Sequence, residues 1–131
     1  MPLTCNLQTV KALPRVAVVS LKGSIDPISI TELQNAMAEA DTLGFRIVVL
    51  DLEGVRYINS VGLAYLVNLG DDLVARQGAL LLVGAQPKVK VVFELMGVDK
   101  FFKLFKSIDS ALGAIGAMHR RVAATPLRKQ A

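Results

Sequence analysis

The sequence is short of the residues that most often carry catalysis or bind metals. Its 131 residues include one cysteine, one histidine and no tryptophan. Because Cys5 is alone, the chain has no disulfide framework and no cysteine cluster for a metal. His119 lies close to the C-terminus, so a Ser/His or Cys/His catalytic pair would require the chain end to fold back. We therefore expect no catalytic residue, no metal site and no cofactor, and the chain is predicted not to be an enzyme.

Long apolar runs are also missing. No run reaches the roughly 18 residues that a bilayer-spanning helix needs. The N-terminus lacks the basic segment followed by an apolar segment that marks a secretory signal. A chain without a disulfide framework fits a reducing compartment. We therefore predict a cytoplasmic protein with no membrane insertion.

The net charge of +4 arises at the C-terminal end of the chain. The last dozen residues contain no acid and four basic residues, Arg120, Arg121, Arg128 and Lys129. Without these four, the chain has 11 basic and 11 acidic residues. A neutral body does not provide the basic face that nucleic acid requires, so no nucleic-acid partner is expected. Helical periodicity is lost near residue 123, which predicts one domain over residues 1–122 and a disordered basic tail over residues 123–131.

Strand-like and helix-like segments alternate along the chain in the order β, β, α, β, α, β, α, β, α. Apolar residues make up 53% of the sequence, which is enough for the core of one domain. The predicted strands are Thr4–Leu13, Val16–Leu21, Ile47–Leu52, Ala79–Val83 and Lys103–Phe105. This order predicts an α/β fold with a mixed, mostly parallel sheet of four to five strands and about four helices packed on it.

Local signals predict where some of these elements begin and end. Gly23 is predicted to end the second strand. Ser29 and Glu32 have the spacing of a capping box, which predicts a helix start with Ile28 packed on Leu33. Helical periodicity assigns Val74 and Met96 to the core. Phe101, Phe102 and Phe105 are interpreted most simply as core residues too. The three phenylalanines alternate with lysines, a pattern also found in single-stranded nucleic-acid sites.

The residues that indicate a function lie in the segment Asp51–Leu66. A buried strand is predicted to end, a short loop to cross, and the next helix to begin at Ser60 with Asn59 as its N-cap. Gly62 is predicted to leave the backbone open there. The first N–H groups of a helix lack partners and lie at the positive end of its dipole, so a phosphate on Ser60 would be stabilised. The alternative is that Asn59 and Ser60 serve only as capping residues.

This segment resembles the signature of the STAS family, typified by bacterial anti-sigma factor antagonists. The family pattern at this junction is D-L-x-x-V-x-Y-[IM]-D-S-[ST]-G-L. The sequence matches it at Asp51, Leu52, Val55, Tyr57, Ile58, Ser60, Gly62 and Leu63. The family's turn L-x-G-x-[LI]-D is similar to the segment with Leu21, Gly23 and Asp26, and its final strand–helix–strand unit to Leu80–Phe105.

The resemblance implies a single STAS-like domain that acts as a partner-switching module. In the antagonists, a serine kinase that is also the anti-sigma factor phosphorylates the Ser after the motif Asp. The unphosphorylated form binds that kinase and frees the sigma factor. The matching position here is Ser60. The partner-binding residues implied by the motif and the nearby turn are Ser24, Asp26, Asn59, Ser60, Val61, Gly62, Ala64 and Tyr65.

Two residues depart from the family pattern. Asn59 replaces the motif Asp, and a kinase that orients the hydroxyl through that carboxylate would phosphorylate Ser60 poorly. Val61 replaces Ser or Thr. With Tyr65 it predicts either an exposed apolar patch or a pair packed under the neighbouring loop. A small apolar residue at this position also resembles the STAS subunits of bacterial lipid-transport ABC systems. The alternative function is therefore a constitutive subunit of such a system or of a stressosome-like scaffold.

Overall fold

The computed structural model describes the backbone of residues 3–124 and the side chains of residues 3–117. An N-terminal hairpin pairs strand β1 (Thr4–Val10) with β2 (Leu13–Ile25). The remaining elements are α1 (Ile30–Thr42), β3 (Ile47–Ile58), α2 (Ser60–Ala75), β4 (Ala79–Val83), α3 (Pro87–Leu95), β5 (Lys103–Phe105) and α4 (Ile108–Ala124). A short 3₁₀ helix, Asp99–Phe101, precedes β5.

The five strands form one sheet whose spatial order is the chain order. β1 is antiparallel to β2, whereas β2, β3, β4 and β5 are parallel. A helix connects each pair of parallel neighbours. Right-handed crossovers that all progress in one direction place their helices on the same face of the sheet. The described residues thus confirm the predicted α/β fold with a mixed, mostly parallel sheet and four α-helices.

The core is divided between the two faces of the sheet. On one face, α1, α2 and α3 bury side chains that include Leu33, Leu66 and Phe93. On the other face, α4 buries Ala111 and Ile115. Neighbouring residues of a strand point to opposite faces, so each central strand contributes to both clusters. The continuous apolar runs of β3 and β4 follow from this two-sided burial.

The two strands that end beside the start of α2 are longer than predicted. β2 continues through Gly23 to Ile25, and β3 continues past Leu52 to Ile58, so the predicted strand end and the predicted loop are both wrong. Two register shifts within residues 20–24 allow the pairing to continue. Gly23 has a φ of +123°, which glycine adopts without strain. β3 therefore leads directly into the start of α2, and β2 ends beside it, with Ile25 paired to Ile58.

The start of α1 also differs from the prediction. Ser29 is the N-cap, but its side chain makes no capping hydrogen bond to the helix. Its hydroxyl donates to the backbone carbonyl of Ser24 instead. Asp26 stabilises the turn between β2 and α1, because its Oδ1 accepts hydrogen bonds from the N–H groups of Ile28 and Ser29. The predicted packing of Ile28 on Leu33 is wrong, because Ile28 is 92% exposed.

Three side chains predicted to lie in the core are exposed instead, namely Val74, Met96 and Phe101. Each lies in the last turn of a helix or directly after it. Phe102 does contact the core, with its ring centroid 5.4 Å from that of Phe93. Phe105 packs against the cluster under α4. The predicted tail, residues 123–131, lies at and beyond the end of the described residues, so the domain boundary stays a prediction.

We predict that Gly62→Ala destabilises the protein by about 1–3 kcal/mol, as overpacking does. A Cβ atom at position 62 would lie 2.7 Å from Cγ2 and 2.9 Å from the carbonyl oxygen of Ile25. Gly70→Ala in the same helix is the control, because its Cβ would approach nothing closer than 3.8 Å. This control is expected to gain about 0.5–1 kcal/mol from helix propensity. Urea unfolding measures both variants, and equal effects would contradict the prediction.

Candidate partner-binding site

Asn59 and Ser60 join β3 to α2. Asn59 has an extended backbone, and its Oδ1 accepts the N–H of Gly62 at 3.1 Å. Ser60 is the first residue of the helix and is exposed. This geometry confirms the predicted N-cap. It places the Ser60 side chain at the positive end of the helix dipole.

The first turn of α2 begins with backbone N–H groups that the helix itself cannot pair. Within the described part of the chain, the N–H groups of Ser60 and Val61 have no hydrogen-bond partner. Such donors are normal at a helix start, where the preceding chain offers no acceptor. An anion attached to Ser60 would therefore lie close to unpaired N–H groups of its own helix turn.

The end of β2 holds the start of α2 in place. The N–H of Asn59 donates to the carbonyl oxygen of Ile25 at 3.2 Å. Gly62 is buried against Ile25, and any side chain at position 62 would collide with it. The prediction that Gly62 leaves the backbone open is therefore wrong. Its missing side chain is what allows α2 to approach β2 this closely.

Asp26 organises the turn beside this junction. Its Oδ1 lies 3.0 Å from the backbone nitrogen of Ile28 and 3.0 Å from that of Ser29. The Ser29 hydroxyl donates to the carbonyl oxygen of Ser24 at 2.5 Å. Hydrogen bonds from Ser29, and then from Ile28, lower the pKa of the Asp26 carboxyl, because they favour its charged form. The turn thus has an ionised acceptor at its centre.

The eight predicted partner-binding residues gather around the carboxyl ends of β2 and β3 and the first turns of α2. The exposed ones are Ser60, Val61 and Ala64. Those of intermediate exposure are Ser24, Asp26, Asn59 and Tyr65, and Gly62 is buried. The pairing of β2 with β3 brings together residues that are far apart in the sequence, because Ser24 pairs with Tyr57 just before the junction.

Tyr65 and Val61 have different environments. Tyr65 packs against the core under α1, α2 and α3, and it lines a cavity of about 240 Å³ between α1 and α2. Burial is the main cause that raises the pKa of its hydroxyl. Val61 is 47% exposed. Tyr65 is therefore packed, although against the helix-covered core and not under a loop, whereas Val61 is exposed.

Two exposed apolar side chains beside the junction were not predicted as part of the site. Tyr57 is 54% exposed, and Ile28 is almost fully exposed. The dipeptide Asp26-Pro27 is a turn signal that places the following residue at an exposed tip. The exposure of Tyr57 depends on the extension of β3 past Leu52, a part of the strand that the sequence pattern assigns to a loop.

Other surface features lie away from the junction. A cleft of about 460 Å³ near the start of α3 is lined by residues that include Glu53, Lys90 and Lys106. Asp71 and Asp72 are exposed on α2. Across the described residues, no three His, Cys, Asp or Glu side chains are grouped so that they could hold a metal ion. No helix in that part of the chain combines the length and apolar character needed to cross a bilayer.

Comparison with known proteins assigns the fold to a family. Residues 8–111 match the family model described as the STAS domain. The anti-sigma-F factor antagonist RsfB of Mycobacterium tuberculosis is 32% identical over 103 residues, which are 76% of this chain and 81% of RsfB.

Solved structures agree with this assignment. The crystal structure of an anti-sigma factor antagonist from Mycobacterium paratuberculosis superposes with a TM-score of 0.74 at 29% identity, over 86% of this chain and 92% of that one. The Bacillus cell fate determinant SpoIIAA, solved in its phosphorylated form, shares the fold with a TM-score of 0.65 at 17% identity, over 86% of this chain and 99% of its own. The chain therefore belongs to the STAS family, as a domain of the anti-sigma factor antagonist type.

Proposed function

We propose that the protein binds a serine kinase that acts as an anti-sigma factor, and that phosphorylation of Ser60 disrupts this complex. The observation that carries the proposal is the position of Ser60. It is exposed at the first position of a helix whose cap is provided by a different residue, Asn59. The hydroxyl is therefore accessible to a kinase, and the helix does not depend on it.

The modification is a phosphoryl transfer from ATP. The Ser60 Oγ attacks the γ-phosphorus and loses its proton, while the bond to the β-phosphate oxygen breaks and ADP leaves. The product carries a charge of about −1.5 to −2 at neutral pH. The unpaired N–H groups of Ser60 and Val61 favour that charge, so the domain keeps its fold.

The same charge is unfavourable inside a complex. A partner that covers Ser60 also covers Val61, whose exposed apolar side chain is next to it. Removing a dianion from water against an apolar surface costs far more than leaving it at a solvated helix start. Phosphorylation therefore weakens the complex without unfolding the domain. We place this protein in the cytoplasm and assign it no catalytic activity.

Val61 also favours a second candidate function, a constitutive STAS subunit of a larger assembly. The family's Ser or Thr is replaced here by an apolar side chain that is 47% exposed. An apolar residue at the centre of the surface suits an interface that stays closed. Stable co-purification with a transport ATPase, and no binding to a kinase, would favour this function.

We predict that Ser60 is the residue phosphorylated when the purified protein is incubated with ATP and the anti-sigma kinases of its source organism. Mass spectrometry of proteolytic fragments locates the phosphate. Ser107 and Ser110 are the internal controls, because they are exposed but start a different helix. Phosphate on these residues, and none on Ser60, would contradict the proposal.

Binding of the same kinase is expected to depend on the charge at position 60. Ser60→Ala should bind like the unmodified protein, and Ser60→Asp about tenfold or more weakly, a difference of about 1.4 kcal/mol. Isothermal titration calorimetry measures both affinities. Equal affinities for the two variants would exclude the switch.

The helix dipole makes a separate prediction about stability. Ser60→Asp is expected to be about 0.3–1 kcal/mol more stable than Ser60→Asn at low salt, because a negative charge is favourable at a helix start. The matched control is at the last residue of α2, where Ala75→Asp should be less stable than Ala75→Asn. Thermal unfolding at low and high salt compares the pairs, and both differences should shrink as salt increases.

A further inference from the structure

Ile28 is exposed to an unusual degree for its size and chemistry. Among the large apolar side chains that the structure describes, it has the highest exposure, 92%. It does not contribute to the start of α1, since Leu33 is fully buried without it. Isolated apolar residues on a surface are common and need no explanation by themselves. The turn that carries Ile28 supplies the further observation.

That turn is held by polar contacts on both sides of Ile28. The Oδ1 of Asp26 accepts the N–H groups of Ile28 and Ser29, and the carbonyl oxygen of Asp26 accepts the N–H of Ile30 at 2.9 Å. Ser29 is 5% exposed, with its hydroxyl bonded to Ser24. Pro27 further restricts the backbone. The backbone of Ile28 is therefore fixed while its side chain remains in solvent.

The turn is attached to the same junction as Ser60. Ile25, which precedes Asp26, accepts the N–H of Asn59 and contacts the backbone of Gly62. Ile28 and Val61 therefore lie at the starts of neighbouring helices, and Ile25 is connected to both starts. A partner that extends from the start of α2 to the start of α1 would cover both Ser60 and Ile28.

We propose that Ile28 is the anchor residue of the partner interface, and that it inserts into an apolar pocket of the same kinase that covers Ser60. The inference rests on the proposed function. A side chain presented on a rigid turn loses little backbone entropy on binding, which favours its use as an anchor. Buried apolar anchors of this kind commonly dominate the binding energy of an interface.

The charge beside Ile28 defines the rim of that pocket. Glu32 is exposed in the first turn of α1, four residues after Ile28. The pocket that fits is therefore apolar inside, with a lysine or arginine at the side that faces Glu32. Ile28 selects the partner through shape and apolar contact, whereas Ser60 controls whether the complex persists.

The test compares Ile28→Ser with Leu95→Ser. Both side chains are largely exposed, at 92% and 80%, and Leu95 ends α3, away from the junction. Both variants should therefore keep the melting temperature of the unmodified protein. Calorimetric titration with the kinase is expected to show at least tenfold weaker binding for Ile28→Ser, and less than a twofold change for Leu95→Ser.

A second pair of variants tests the rigid turn with Ile28 intact. Asp26→Ala removes the acceptor for both N–H groups and should weaken binding several-fold. Asp26→Asn retains a side-chain oxygen in the same place and should restore most of the affinity. Glu32→Lys should weaken binding more at low salt than at high salt, since it opposes the basic rim.

The outcomes separate this inference from the proposed function. If the unmodified protein binds the kinase, Ser60→Asp releases it and Ile28→Ser binds normally, the anchor is wrong and the switch stands. If Ile28→Ser and Leu95→Ser weaken binding equally, the effect is general surface hydrophobicity and the anchor is again wrong. If no anti-sigma kinase of the organism binds the unmodified protein, the proposed function fails, and the anchor fails with it.

Discussion

The contact between the first turn of α2 and the end of β2 determines the arrangement of the whole candidate site. Ile25 contributes its carbonyl oxygen to Asn59 and its side chain to the bare backbone of Gly62. Because the contact involves backbone on both sides, it allows little variation in distance or angle. The turn at Asp26 continues from the same residue, so two exposed segments that are distant in sequence are held in one fixed relation.

In this arrangement, the residue that caps α2 is not the residue that is proposed to be phosphorylated. Asn59 caps α2 with an amide oxygen, and Ser60 takes no part in that hydrogen bond. A capping carboxylate at position 59 would place a second negative charge next to a phosphate on Ser60. The neutral amide avoids this repulsion. Any partner-controlled modification of the hydroxyl can therefore act on binding while the cap remains intact.

Features set by local chemistry could be predicted from the sequence, and those set by distant pairing could not. The N-cap at Asn59 and the bounds of β4 and β5 follow from residues within a turn or a short run, and they are confirmed. β3 carries one extra residue at each of its two register shifts with β2, within residues 51–54 and 55–57, and these interrupt the regular alternation by which a strand is recognised in a sequence. The exposure of Ile28 was not predicted because the capping-box pattern assumes that the Ser29 side chain bonds to α1. In the structure, the Ser29 hydroxyl donates to the carbonyl oxygen of Ser24 instead. Periodicity likewise assigns Val74 to the core face, but there the preceding Leu73 is buried and Val74 is 66% exposed.

The agreement between strand order and chain order has a consequence for how the protein is made. Each parallel strand needs only one helical crossover to reach its partner, so every pairing closes a loop of modest length. Such a topology is expected to fold faster than a parallel sheet whose neighbouring strands are further apart in the sequence. The turn at Asp26 follows β2, and the start of α2 follows β3. The main strand contact of α2 is with β4. During synthesis, the surface around Ser60 is thus expected to form before α4 and the basic C-terminal residues have left the ribosome.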